Sequence, residues 1–171
     1  MTGREVLDPR VESFAGLARE YVRLIDRASE LDPLELLGSC LKLLPRLYAD
    51  ALDLPDMEPT NRPTGELASP FKTLERILGP GDWYWMVFDP YEVPEAHLVG
   101  SLADDLADIY LDLGRPLADF DAGAFGDAAW GWRFNMRMHA GEHVIGAMGA
   151  IHWIVHSHGW PPSKPDAQAG K

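Results

Sequence analysis

Apolar positions recur at helical spacing along most of the chain. After Asp8-Pro9, the residues Val11, Phe14, Leu17, Ala18, Tyr21, Leu24, Ile25 and Ala28 fall on one stripe of a 3.6-residue repeat. After Asp32-Pro33 the stripe is Leu34, Leu37, Leu41, Leu44, Leu47, Tyr48 and Leu52. In both places an aspartate precedes a proline. The carboxylate can accept from the first free backbone N–H groups, and the proline occupies the one position where its missing N–H is harmless. Ser69-Pro70 repeats the signal for a short helix, Pro70–Leu78, that stops at Gly79-Pro80. Pro45 lies inside the second stripe and predicts a kink or break, because its ring removes a hydrogen bond and crowds the preceding turn.

The pattern changes between these helices and the next. Leu54–Ser69 carries Pro55, Pro59 and Pro63 and reads as a loop. WYWMVF at Trp83–Phe88 is unbroken and aromatic, either a short extended piece or a buried connector, and Asp89 to Gly100 reads as loop. Ser101 with Asp104 three residues on resembles a capping box for a helix from Leu102. On that helix Leu102, Leu106, Ile109, Tyr110 and Leu113 share one face, and Asp104, Asp105, Asp108 and Asp112 the other. Gly114 and Pro116 are expected to interrupt it before it resumes toward Phe120. Asp127 is the expected cap of a long final helix reaching His158, which Gly159 and Pro161-Pro162 end. The fold class is therefore all-α, a compact single-domain bundle of five or six helices with a kinked second helix. The helical domain spans residues 1–160, and a flexible Pro-rich tail 161–171.

Composition limits the function classes. The 171 residues carry a net charge of −12, which repels phosphate backbones and anionic lipid, so no nucleic acid and no membrane is expected as a partner. A basic protein is the better electrostatic match. The longest apolar stretches, Trp83–Phe88 and Ala147–Val155, fall well short of the roughly 20 residues of a membrane span. The one cysteine, Cys40, excludes an intrachain disulfide, and MTGREVLDPR lacks the apolar core of a signal peptide. The expected compartment is the cytoplasm. Cys40, set among leucines, is a poor nucleophile.

Five of the six histidines lie between His139 and His158. His139 and His143 are four residues apart and can hold one ion from one helix face, and His152 and His156 repeat that spacing. The nine-residue step from His143 to His152 puts the pairs on opposite faces. Val144, Ile145, Met148, Ile151 and Val155 cluster nearer the second pair, so His152 is expected in the core, with His139 and His143 more accessible, near carboxylates or solvent and without a bound metal ion. His139-Ala-Gly-Glu142-His143 matches the inverted zinc-peptidase string H-x-x-E-H. Only 28 residues follow His143, with Asp166 the sole acid, too few to supply that class's further glutamate. The Glu-x-x-His pairs of di-iron bundles are also absent, since Ile145 stands three residues after Glu142.

Two readings of function follow. The leading one is a non-enzymatic acidic binding protein that engages a basic partner without a cofactor, through Asp104, Asp105 and Asp108 and the aromatics Trp85, Trp130 and Trp132. The alternative is a metal-dependent enzyme or metal-binding helical protein using His139, His143 and one aspartate of the Asp104–Asp112 helix. A small-molecule pocket lined by Trp85, Trp130 and Trp132 is a third arrangement.

Four strings also resemble a known family. They are LLPRLY at Leu43–Tyr48, YWMVFDPY at Tyr84–Tyr91, GSLADDLADIYLDL at Gly100–Leu113, and W-x-W-R-F followed by H-x-G-x-H at Trp130–His143. Their order and spacing are similar to those of a family of small bacterial proteins known only as a domain of unknown function. The resemblance implies a compact helical protein and transfers no catalytic residue. The family carries an aromatic residue where this chain has Ala140, and continues its helix where this chain has Gly114-Arg115-Pro116.

Overall fold

A computed structural model describes residues 7–60, 65–87, 89, 91–92 and 98–162. The chain runs α1 (Pro9–Asp26), α2 (Pro33–Leu52), α3 (Phe71–Leu78), β1 (Trp83–Met86), β2 (Leu98–Ser101), α4 (Leu102–Asp121), α5 (Phe125–Asn135) and α6 (Gly141–Trp153). A widened π turn, Met136–Ala140, joins α5 to α6, and a second, Ile154–His158, follows α6. The last three pieces form one rod without a loop between them. The all-α expectation holds, with α4 packed against α1, α3, α5 and α6 at the centre of the bundle. Among the described residues no helix is long and apolar enough to cross a membrane.

The caps fall where the sequence places them for three helices. Asp8 accepts from the Arg10 N–H at 2.8 Å, Asp32 from Leu34 at 2.9 Å and Ser101 from Asp104 at 3.1 Å. Ser69 accepts from Phe71 at 3.3 Å, so α3 starts one residue later than expected. Asp127 does not cap the rod, which begins at Phe125. Its carboxylate instead takes the Thr60 N–H (2.6 Å) and hydroxyl (2.7 Å), tying the Pro-rich loop to the rod.

Neither internal proline splits its helix. α2 passes unbroken through Pro45, whose position is exposed, so the Leu41 carbonyl deprived of an N–H stays within reach of water. α4 likewise runs on through Gly114 and Pro116. Pro116 takes the usual hydrogen-bond partner from the Asp112 carbonyl, and the Asn135 side-chain amide replaces it at 3.0 Å. Next to it, the Trp132 indole N–H donates to the Leu113 carbonyl at 2.9 Å. The proline ring also packs where α5 carries Gly131, at which a Cβ would lie 2.9 Å from it. A residue read as a helix breaker is thus part of the α4–α5 crossing. Among the described residues Pro45 has no such substitute donor. Its replacement by alanine is expected to raise stability by about 2 kcal/mol, since interior proline costs about 3 kcal/mol and its restriction of the unfolded chain returns less than about 1. An unchanged denaturation midpoint would contradict this.

The segment at Trp83 takes the extended one of its two readings, and part of the stretch read as loop pairs with it. β1 and β2 form an antiparallel hairpin with Trp85 opposite Val99 and Tyr84 opposite Gly100. Four-residue strands are too short to leave a period-2 signal. Phe88, Pro90 and the tail from residue 163 lie outside the described residues, while Trp160 packs partly buried against the core. Cys40 is buried, and burial pushes its thiol up to about 12.

Candidate metal centre

The site forms where α4 meets the C-terminal rod. Aspartates at 105, 108 and 112 share one stripe of α4, and His139 and His143, four apart, share one stripe of the rod. The start of α4 is fixed one turn earlier by buried Asp82. It accepts from the Ala103 N–H at 2.7 Å and the Ser101 hydroxyl at 3.0 Å, and its carbonyl accepts from Leu102 at 2.8 Å. This anchor bridges about 20 residues of chain, so no local spacing reveals it.

Each histidine is held by its own carboxylate. His143 Nδ1 lies 2.8 Å from Asp105 Oδ1, and His139 Nδ1 lies 2.8 Å from Asp112 Oδ2. Asp105 and Asp112 are only 7% and 9% exposed, so they are not a solvated face but groups desolvated against the rod. The second oxygen of Asp105 accepts from the Tyr84 hydroxyl at 2.6 Å. That reach depends on Gly146, at which a Cβ would sit 2.5 Å from the Tyr84 oxygen. Burial, then the hydrogen bond to Asp105, raises the Tyr84 hydroxyl far above its ordinary value, so it stays a donor.

The other ring nitrogens converge. His143 Nε2 and His139 Nε2 are 3.2 Å apart, and Asp108 Oδ2 lies 3.5 Å from the first and 3.8 Å from the second. All three atoms fall within 4.8 Å of one another. The His139 side chain is 53% exposed and that of His143 21%, so the cluster opens to solvent on the His139 side. Asp105's hydrogen bond raises the His143 pKa against the opposing effect of burial. Partial burial and the Asp108 charge raise that of Asp104, which stands exposed at the edge.

Of the sequence candidates, the fold therefore brings Asp105, Asp108, His139 and His143 together, with Asp112 beside them and Asp104 at the rim. The tryptophans separate. Trp132 is 1% exposed, a core residue beside Phe14, and offers no surface to a ligand. Trp130 stacks on Phe134 at the surface with centroids 4.9 Å apart, and Trp85 is exposed on the hairpin. The expectation that His152 is buried is wrong: it is exposed, and His143 is the more buried of the two. The two pairs do straddle α6, but the core face is Ala140, Val144, Ala147, Ile151 and Ile154, while Ile145 faces outward. Counting only the bulky residues missed the buried alanines Ala140 and Ala147, which set the core face as much as the larger side chains do. Tyr84 and Asn135 escaped the sequence reading because their roles come from contacts 21 and 23 residues away.

Comparisons with known proteins support the fold. No curated protein matches the chain. The crystal structure of protein BF1032 from Bacteroides fragilis superposes with a TM-score of 0.73 at 24% identity, covering 88% of this chain and 94% of that one. Residues 5–157 match the family described as Domain of unknown function (DUF5063). By that match over nearly its whole length, the chain belongs to the DUF5063 family.

Proposed function

We propose that this protein binds one divalent transition-metal ion, zinc or iron, through Asp108 Oδ2 and the Nε2 atoms of His139 and His143. The observation that carries the reading is the 3.2 Å approach of the two Nε2 atoms while both Nδ1 atoms face carboxylates. A carboxylate only accepts, so each Nδ1 donates, and a neutral imidazole then bears a lone pair at Nε2. Two such lone pairs repel unless a proton or a metal ion lies between them, and Asp108 Oδ2 beside both nitrogens supplies the third donor that a metal would use. A tetrahedral ion with bonds of about 2.0–2.1 Å places its ligand atoms about 3.3 Å apart, close to the three separations found here. Carboxylates behind ligating histidines fix the tautomer and raise ligand basicity, the role Asp105 and Asp112 would play.

Three protein ligands leave a coordination position for water or substrate, the arrangement of a metal-dependent enzyme rather than a closed structural site. The metal would supply a Lewis acid that lowers the pKa of bound water. Equilibrium dialysis against zinc, followed by metal analysis, tests the assignment: one ion per chain is expected, and none retained would reject it. Tyr84→Phe removes the outer donor to Asp105 and is expected to weaken zinc binding about tenfold with the helical spectrum unchanged. Equal affinities in a chelator competition would remove Tyr84 from the site.

A basic partner protein is the second reading, supported by the net charge of −12 and by the exposed Trp83, Trp85 and Val99 on one face of the hairpin. In either reading we place the protein in the cytoplasm, where a lone buried cysteine stays reduced.

A further inference from the structure

Away from the metal centre, α1 and α2 border a groove of about 530 Å³. Arg46 on α2 and Glu20 on α1, both in its lining, form an exposed ion pair at 3.8 Å. Arg23, one turn after Glu20 on α1, and Lys42, one turn before Arg46 on α2, line the same groove. Both are exposed, and neither has an ion-pair or hydrogen-bond partner among the described residues. The two acids that line the groove have partners of their own: Glu20 pairs with Arg46, and Asp26 accepts from the Tyr110 hydroxyl at 2.8 Å. Leu24, Leu31 and Leu43 supply the apolar part of its lining.

We propose that this groove binds a small organic anion with an apolar body, its carboxylate or similar head between Arg23 and Lys42 and its body on the leucines. Two unpaired cations lining one groove repel each other less once an anion is bound there, and bidentate contact to a carboxylate suits the guanidinium of Arg23. The apolar body is required by the rest of the molecule. A chain of net charge −12 repels a bare anion at long range, so contact with the leucines must add to the affinity. The volume lies within the range of small-molecule sites. The groove uses no residue of the metal centre and stands independently of it.

Calorimetric titration of the full chain with octanoate tests this, with acetate and 1-octanol as probes carrying the charge or the chain alone. Saturable one-to-one octanoate binding is expected, with acetate and 1-octanol each about tenfold weaker or more. The double variant R23A/K42A should lose about tenfold or more, and W83A/W85A, on the exposed hairpin, should bind as the parent does. The charge swap K42E, read the same way, provides the measurement if the double variant fails to fold. Absence of saturable octanoate binding at millimolar concentration would overturn the proposal. So would undiminished binding by R23A/K42A or K42E, equal affinity for either control probe, or loss of binding in W83A/W85A.

Discussion

Replacing His139 with alanine will reduce zinc affinity by more than about 100-fold while leaving the fold intact. The bound comes from comparison with outer groups: losing a residue behind a ligand costs about 10–100-fold, and losing the ligand itself removes a metal bond. The fold should survive because His139 is more than half exposed and its contacts all lie within the site. His143→Ala should lose as much metal, but at a measurable cost in stability, since buried Asp105 would be left with Tyr84 as its one side-chain donor among the described residues. Affinity should also depend on pH. Protons and metal compete for His143, and its folded pKa is raised, so binding weakens as pH falls through that raised value and strengthens above it. Wild-type protein that retains zinc equally at pH 5 and pH 8, or a His139→Ala variant that retains it as well as the parent, would set aside the assigned ligands.

Trp132→Ala is expected to destabilise the protein by about 3–5 kcal/mol, the cost of emptying a large buried aromatic site. Trp132 is fully enclosed, with Phe14 at 5.0 Å and Phe120 at 6.0 Å between ring centroids. Trp132→Phe separates volume from hydrogen bonding. It keeps most of the packing but removes the donor to the Leu113 carbonyl, for an expected loss of about 1–3 kcal/mol. Chemical denaturation would distinguish the two variants. Near-parental stability in Trp132→Ala would mean that the residue belongs to an accessible pocket, as its aromatic neighbours in the sequence suggest.

Asp8, Asp32 and Ser101 made the helix starts legible, because a cap and the amide it serves lie two or three residues apart. Half of the metal centre was legible for the same reason: His139 and His143, and Asp105, Asp108 and Asp112, are local patterns on single helices. Which aspartate meets which histidine was not, since that is fixed by the packing of α4 on the rod, 27 and 38 residues apart in sequence. Pro116 misled because its compensation comes from Asn135 on another element. His152 misled because hydrophobic size was taken as burial, whereas the small Ala140 and Ala147 are buried and Ile145 faces solvent.

The π turn at Met136–Ala140 has a consequence for chain length. The core-facing residues of the rod step from Trp132 through Met136 and Ala140 to Val144, twelve residues over three turns. An α-helix needs about eleven for that span. The rod thus holds one surplus residue, absorbed in the wide turn that carries His139. A relative lacking one residue at exposed Met138 would revert to plain α-helix there, with Trp132 and Val144 still seated in the core. Elsewhere in the rod's regular stretches, the same deletion would rotate everything beyond it by about 100° and turn core side chains outward. Insertions and deletions between relatives should therefore gather at this turn, beside the histidines.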